Sequence, residues 1–335
     1  MTKRRLIVVG TVAVLLLLAC ITTYAVYQYQ LNQPLALTEA AVLRVDPGEG
    51  LKAIGNKLVQ RGWLSQPYFL ILAGRSKGVT GSIKTGEYEI RPGMTPWDLL
   101  ALIVSGKVIQ YALTIPEGWT FRQILEAVRV NPHLNHTLDD TAATNIMEKL
   151  GNPGLHPEGL FFPETYMFPS GTSDVEFLRR AYKTMEHVLD EEWQQRAPDL
   201  PYQDSYQALI MASIIEKETA VPEERYQIAG VFVRRLQHDI KLQTDPTIIY
   251  GIGPGFNGDI TNADLNLDTP YNTYRYPGLP PTPIATPGRA SIRAALQPEP
   301  GTALYFVAMS NGRHHFSTTL DEHNQAVAKY QLHKP

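Results

Sequence analysis

The chain has 335 residues and a formal net charge of −3, with 30 basic and 33 acidic side chains, so it provides no broad basic surface for nucleic acid. Its apolar fraction of 44% exceeds that of disordered chains, and its length suggests two domains. The single cysteine, Cys20, excludes an internal disulfide and a cysteine-based zinc site.

An uncharged apolar run extends from Leu6 to Val26 and directly follows three cations at residues 3–5. At 1.5 Å per residue, a helix of this length spans roughly 30 Å, the thickness of the hydrocarbon core of a bilayer. We therefore predict a cytoplasmic tail at residues 1–5 and a transmembrane helix at residues 6–27. Because no lysine or arginine follows before Arg44, the positive-inside rule predicts a cytoplasmic N-terminus and export of the remaining chain.

Two other interpretations of this segment stay open. The first is a cleaved signal peptide, although the apolar core of such a peptide has only about 7–15 residues. The second is a lipoprotein signal, because Leu17–Cys20 has the form of a lipidation box. The apolar run continues beyond Cys20, which favours an uncleaved anchor.

Residues 40–115 predict a small α+β module. A strand–helix–helix–strand order is followed by one further helix, for which Thr95 is a suitable N-cap, and one further strand. The predicted elements are strands at Leu43–Val45, Gly86–Ile90 and Val108–Ile115, and helices at Leu51–Val59, Tyr68–Ala73 and Pro96–Val104. This order is compatible with a LysM-like peptidoglycan-binding module and equally with a structural stalk.

Residues 116–335 predict a mainly helical domain with long loops. A late β-hairpin is predicted at Ala303–Ala308 and His314–Ser317, and a long aromatic loop extends from Leu242 to Gly288. A loop of that length inside a compact domain is usually functional. The predicted helices are Phe121–Val130, Val175–Glu192, Tyr206–Thr219, Glu223–His238, Arg289–Leu296 and Leu320–His333.

The sequence contains no Gly-rich phosphate loop, H-E-x-x-H motif or G-x-S-x-G motif. His314, His315 and His323 are candidate metal ligands, but no recognisable ligand spacing accompanies them. Exposed or hydrogen-bonded histidines are the favoured interpretation. We predict no metal and no cofactor.

The segment from Tyr206 to Thr219 contains the principal candidate for catalysis. On a helical wheel that starts at Tyr206, Glu218 falls at about 120°, within an apolar arc, whereas Glu216 falls near 280°, outside it. Burial and the helix C-terminus would both raise the pKa of Glu218 and keep a general acid protonated near neutral pH. The alternative is a carboxylate capped by a neighbour or paired with Arg225, Arg234 or Arg235.

The loop beyond this helix has the composition of a sugar-binding site, because it combines aromatic rings with amides and hydroxyls. We predict that Tyr271→Ala and Asn272→Ala weaken substrate use with little effect on stability. The alternative is that the tyrosines only pack the loop. The candidate substrate-binding residues are Gln243, Thr244, Asp245, Tyr250, Tyr271, Asn272, Thr273 and Tyr274.

Several long motifs resemble those of the endolytic murein transglycosylases of the MltG (YceG-like) family. They appear in the same order as in the family, and the similarity covers nearly the whole chain. The motifs are TIPEG at 114–118, EGLFFPETY at 158–166, ASIIEKETA at 212–220, LQTDPTIIYG at 242–251, YNTY at 271–274, GLPP at 278–281 and PIATPG at 283–288.

The resemblance implies a single-pass inner-membrane protein with a periplasmic LysM-like module at residues 40–115 and a lysozyme-like catalytic domain at residues 116–335. The implied activity is internal cleavage of nascent peptidoglycan strands at the MurNAc–GlcNAc bond, which leaves 1,6-anhydro-MurNAc ends and could terminate strand elongation. The family's catalytic glutamate corresponds to Glu218. Glycan strands are the implied partner, and peptidoglycan synthases are candidate partners.

Two other functions remain open at this point. One is a membrane-anchored peptidoglycan-binding scaffold without catalysis. The other is a lysozyme-type hydrolase, which needs a second carboxylate. Asp245 is the only candidate for that second group.

Overall fold

The computed structural model describes residues 3–138 and 142–332. It is a mixed α/β structure that divides into two units. The first comprises the residues up to Tyr111 together with Phe168–Gly171, and the second comprises Ala112–Met167 together with the residues from Thr172 onward. Residues 1 and 2 of the predicted tail, and residues 333–335 at the predicted end of the catalytic domain, lie outside the described residues.

The first unit begins with a long helix and continues as a small α+β arrangement. Strands β1 and β2 form an antiparallel pair in which Leu43 lies opposite Tyr88. The elements up to the boundary between the units are α1 (Lys3–Asn32), β1 (Ala41–Val45), α2 (Leu51–Gln60), α3 (Tyr68–Ser76), β2 (Gly86–Ile90), α4 (Pro96–Ser105) and β3 (Gln110–Thr114).

Helix α1 is long and apolar enough to span a membrane between Ile7 and Asn32. It extends several residues beyond the predicted end at residue 27, because its last turn packs into the core of the first unit through the buried Leu31. Pro34 then prevents the helix from continuing, since a proline disfavours helical backbone at the preceding residue. The apolar helix that the sequence predicts is confirmed.

The strand–helix–helix–strand order predicted for the module is also confirmed. Thr95 caps α4, because its hydroxyl accepts a hydrogen bond from the backbone N–H of Asp98 at 3.2 Å. The core of this unit lies between the β1–β2 pair and the three short helices. It contains Leu43, Ile54, Leu70, Tyr88, Leu99 and Ile103.

The second unit is mainly helical. Its strands form short pairs, with β4 parallel to β6 and β7 antiparallel to β8, while β3 pairs with β5. The remaining elements are α5 (Phe121–Val130), β4 (Leu134–Asn135), α6 (Ala142–Lys149), β5 (Thr165–Pro169), β6 (Thr172–Ser173), α7 (Asp174–Gln194), α8 (Ser205–Glu218), α9 (Arg225–Gln237), α10 (Asp245–Ile252), α11 (Asn262–Leu265), α12 (Arg289–Leu296), β7 (Tyr305–Ala308), β8 (His314–Ser317) and α13 (Leu320–Tyr330).

Most predicted helices of this unit are confirmed, and α5, α12 and the β7–β8 hairpin lie where the sequence places them. The prediction of a long loop from Leu242 to Gly288 is wrong in part, because the short helices α10 and α11 form inside it. A proline in the first turn favours helix initiation, and Pro246 occupies that position in α10. Helix α6 was not predicted.

Candidate active site

Helix α8 is the central helix of the second unit and packs against α7, α9, α10 and α12. Every residue from Ala208 to Ile215 is buried. The helix is therefore enclosed on all sides, as expected for a segment that is apolar around its whole circumference. This corrects the helical-wheel interpretation, in which the buried surface of α8 is a single apolar arc.

Glu218 is the last residue of α8 and is half-buried. The Thr244 hydroxyl donates a hydrogen bond to its Oε2 at 2.7 Å. Burial raises the pKa of Glu218 to about 7, and Asp245 also raises it, whereas the Thr244 hydrogen bond and the charges of His314 and Arg235 lower it. Such a carboxyl group is partly protonated near neutral pH and can donate a proton or accept one.

None of the three arginines suggested as partners forms an ion pair with Glu218 within the described residues. Arg225 lies 3.7 Å from Glu216. Arg234 donates to the backbone carbonyl of Ala303 at 2.8 Å, and Arg235 donates to that of Leu304 at 2.6 Å. The alternative of a carboxylate neutralised by arginine is therefore not supported.

Glu216 has a different environment from Glu218. Its side chain is only 7% exposed, and its Oε2 accepts hydrogen bonds from the backbone N–H of Gly288 at 3.0 Å and the Ser291 hydroxyl at 2.7 Å. These hydrogen bonds connect the start of α12 to the end of α8. Glu216 therefore has partners different from those of Glu218, and its nearly buried side chain links α8 to α12.

A cleft of about 470 Å³ opens in front of Glu218. Three of the predicted substrate-binding residues, Gln243, Asp245 and Tyr274, line it together with the glutamate. The Tyr274 hydroxyl donates to Oδ1 of Asp245 at 2.7 Å, which orients both side chains at the cleft. Glu218 and Asp245 are the only acidic residues that line this cleft among the described residues.

The opposite wall of the cleft was not predicted from the sequence. The hairpin and α13 form it, through Tyr305, Phe306, His314, His323 and Val327 among others. His314 Nδ1 lies 2.8 Å from Oε2 of the buried Glu224, and the His323 ring stacks on Tyr305 with centroids 5.3 Å apart. The consecutive histidines at 314 and 315 mark this region in the sequence, but as candidate metal ligands and not as part of a cleft wall.

The candidate metal ligands are thus engaged in other contacts. Within residues 3–138 and 142–332, no three or more histidine, cysteine, aspartate or glutamate side chains gather in a way that could hold a metal ion. His315 packs against the ring of Tyr330 with centroids 5.5 Å apart.

Thr244 and Thr273 belong to a buried hydrogen-bond network next to Glu218. Both are buried, and the Thr273 hydroxyl accepts a hydrogen bond from the backbone N–H of Thr244 at 3.1 Å. Thr247 also contacts Thr273, with 2.9 Å between the two hydroxyl oxygens. This network fixes the threonine that hydrogen-bonds to Glu218, so Thr273 supports the site without lining the cleft.

Tyr250, Tyr271 and Asn272 do not line the Glu218 cleft. The rings of Tyr250 and Tyr271 contact each other with centroids 4.8 Å apart. Asn272 is 0% exposed, and its amide donates to the backbone carbonyls of Leu265 and Leu267 at 3.0 and 2.8 Å. The structure therefore gives Asn272 a scaffolding position inside the loop, contrary to its prediction as a sugar contact.

The fold and the cleft together define a class of protein: a chain with an N-terminal apolar helix, a small α+β unit and a mainly helical unit whose cleft is lined by a half-buried glutamate. Residues 43–329 match the family model described as the YceG-like family. The chain belongs to the YceG-like family.

The chain is similar in sequence to named proteins from bacteria. The chain is 31% identical over 305 residues to the endolytic murein transglycosylase of Bacillus subtilis (strain 168), a match that covers 86% of this chain and 84% of the relative. It is 27% identical to the protein of the same name from Streptococcus pneumoniae (strain D39), covering 92% of this chain and 62% of that longer relative.

A solved structure is also similar. The crystal structure of the yceG-like protein lmo1499 from Listeria monocytogenes is 30% identical and covers 86% of this chain and 99% of its own, with a TM-score of 0.55.

Proposed function

We propose that this protein is an endolytic peptidoglycan lytic transglycosylase, a lyase of the cell wall that acts through Glu218. Relatives named endolytic murein transglycosylase match most of the chain. The observation that carries the proposed role of Glu218 is its position: a half-buried carboxyl group with a pKa of about 7 at the base of a cleft.

The proposed reaction needs one carboxyl group. Glu218 donates its proton to the O4 atom that leaves as the bond between MurNAc C1 and that oxygen breaks. The C6 hydroxyl of the same muramyl residue attacks C1, and the Glu218 carboxylate takes the hydroxyl proton, so that the enzyme returns to its starting state. The product carries a 1,6-anhydro bridge. Attack by a hydroxyl on the same ring has a high effective molarity, so no activated water is required.

Asp245 is the residue on which a hydrolase mechanism would depend. Ordinary glycosidases use two carboxyl groups, one of which activates water or forms a covalent intermediate. Asp245 lines the cleft, but its Oδ1 accepts the Tyr274 hydroxyl hydrogen bond. We propose that Asp245 binds substrate and adjusts the pKa of Glu218, and that Gln243 and Tyr274 contact the sugar beside it.

The experiment that tests the proposed function is analysis of the products formed from glycan strands by the purified chain. Internal cleavage to 1,6-anhydro ends is expected. Reducing ends would instead identify a lysozyme-type hydrolase. Intact strands that nevertheless bind the protein would identify a scaffold without catalysis.

Two substitutions beside Glu218 should shift its pKa in opposite directions. The Thr244 hydrogen bond lowers this pKa, and the charge of Asp245 raises it. In Thr244→Val the loss of activity at alkaline pH should therefore move to higher pH, and in Asp245→Asn to lower pH. The measurement is kcat/KM from pH 5 to pH 9. Shifts in the same direction would contradict this electrostatic description, and complete inactivity of Asp245→Asn would assign Asp245 a catalytic role.

We further propose that α1 anchors the chain in the inner membrane with the N-terminus in the cytoplasm, and that the rest of the first unit and the whole second unit lie in the periplasm. The charge asymmetry around the apolar run supports this orientation. A reporter fused after residue 335 that is active only in the cytoplasm would contradict it. Such an anchor would keep the enzyme beside strands that leave membrane-bound synthases, so that cleavage could end elongation, and co-purification with a synthase would test that partnership.

The two units also suit the architecture expected from the sequence. The β1–α2–α3–β2 order and the antiparallel strand pair support a LysM-like glycan-binding role for the first unit. The glutamate at the end of a central buried helix supports a lysozyme-like catalytic role for the second. The test is sedimentation of residues 28–111, which keep the buried Leu31 and Leu35, with purified peptidoglycan; a folded fragment that fails to sediment would favour a structural stalk.

A further inference from the structure

A second cavity, of about 460 Å³, lies beside the Glu218 cleft in the second unit. Lys217 lines it, whereas the next residue, Glu218, lines the cleft; likewise Pro246 lines the cavity and Asp245 the cleft. Consecutive Cα atoms are only 3.8 Å apart, so the two openings are neighbours on either side of the junction between α8 and α10.

Two cations line this cavity without a close ion pair. Arg122 and Lys217 line it, both are exposed, and neither forms an ion pair within the described residues. The Lys217 ammonium group has one long contact, 3.4 Å to the backbone carbonyl of Gly118. Exposed basic side chains are common, but two that line one cavity without a close ion pair favour an anionic ligand.

The one acidic residue that lines the cavity, among those the structure describes, offsets only part of this positive charge, although the charge of Arg122 does lower the pKa of its carboxyl group. Glu158 is 4% exposed, and its carboxyl group accepts hydrogen bonds from the backbone N–H of Phe121 at 2.8 Å and from the Tyr250 hydroxyl at 2.9 Å. Burial raises its pKa to about 7, so its negative charge is only partial at neutral pH. The cavity therefore keeps a net positive charge.

The remaining walls are apolar or aromatic. Ile249, Pro254 and Ile284 line the cavity together with Tyr250. A ligand that fits would combine small apolar groups with carboxylates. This is the chemistry of a short peptide that contains alanine and acidic residues, and it differs from that of an uncharged sugar.

We propose that this second cavity binds the stem peptide of the muramyl residue next to the bond that is cleaved, with Arg122 and Lys217 contacting its carboxylates. The proposal rests on the proposed function, because that function supplies a peptide-bearing strand. In such a strand the lactyl carboxyl is joined to the peptide, so the free carboxylates lie on the stem. The enzyme would thereby prefer strands whose peptides are intact.

The test compares the full-length chain in detergent on two substrates: peptide-bearing glycan strands, and the same strands stripped of peptide by an amidase. In the double variant Arg122→Gln with Lys217→Gln, kcat/KM on peptide-bearing strands should fall by roughly 5–30-fold, through a higher KM, because two ion pairs of about 0.5–1 kcal/mol each are lost. The loss on stripped strands should be at least fivefold smaller. Added salt should reduce the preference of the wild type for peptide-bearing strands.

Lys149→Gln is the matched control, because it removes an exposed cation at the end of α6 that lines neither opening. It should leave kcat/KM on both substrates unchanged. Equal losses of the double variant on both substrates, or none on peptide-bearing strands, would overturn the proposal. A wild-type chain that cleaves neither substrate would instead overturn the proposed function, so the two failures are distinguishable.

Discussion

Glu218→Gln should lower the rate of strand cleavage by at least about 10²–10⁴-fold, the usual contribution of general acid–base catalysis. Glutamine keeps the shape of the side chain and can accept the Thr244 hydrogen bond, but it has no proton to donate to the leaving oxygen. The measurement is release of anhydro-ended products by the purified variant. Near-normal release would rule out Glu218 as the general acid.

Glu216→Gln is the matched control, two residues away on the same helix. Because the Glu216 carboxylate binds the start of α12 and lies near Arg225, this variant should unfold at a lower temperature, with a loss of roughly 3 kcal/mol. Its cleavage rate per folded molecule should stay much closer to that of the wild type. A stable but inactive Glu216→Gln variant would transfer the catalytic role to Glu216.

The melting temperature of Glu218→Gln provides a second test, which concerns the burial of this carboxyl group. Burial raises the pKa of Glu218 from 4.5 to about 7, so the folded chain binds this proton more tightly than the unfolded chain. The stability of the wild type therefore falls as the pH rises through this interval. The variant should melt a few degrees above the wild type at pH 8, and the difference should disappear below pH 4.5. Equal melting temperatures at pH 8 would indicate that this carboxyl group is not destabilised by burial.

Asn272→Ala should lower the free energy of unfolding by roughly 3 kcal/mol, since it leaves buried backbone groups without hydrogen-bond partners. Its amide binds the carbonyls of Leu265 and Leu267, and its Oδ1 accepts from the backbone N–H of Tyr274 at 3.0 Å. For a domain of this size, the melting temperature should fall by roughly 6–12 °C. This reverses the effect predicted from the sequence, in which Asn272 contacts sugar and contributes little to stability.

Asn266→Ala is the control, because Asn266 is exposed in the same loop and, among the described residues, its side chain bonds only to the Asn262 carbonyl at 2.7 Å. Its stability should change by no more than about 0.5 kcal/mol. An Asn272→Ala variant with a normal melting temperature and impaired substrate use would contradict this prediction and support Asn272 as a sugar contact.

The sequence by itself determined the local features of this protein. The N-terminal apolar helix, the strand–helix–helix–strand order, α5, α12 and the late hairpin all follow from residue patterns that act within about ten neighbours. Glu218 was also identified correctly as the end of a buried helix. The helical-wheel argument that identified it was only partly right, because α8 is enclosed on every side and a single apolar arc does not describe its burial.

Only the tertiary structure decided which polar residues face the cleft. Gln243, Asp245 and Tyr274 line it, whereas Asn272, from the same short motif as Tyr274, is buried inside the loop. The opposite wall comes from a hairpin and a helix nearly a hundred residues after Glu218. Residue type and spacing cannot distinguish these positions, because an amide or hydroxyl can satisfy backbone groups inside a loop as readily as it can bind a ligand. Whether a polar side chain faces the cleft or bonds to the backbone is decided by the packing of segments that are distant in sequence.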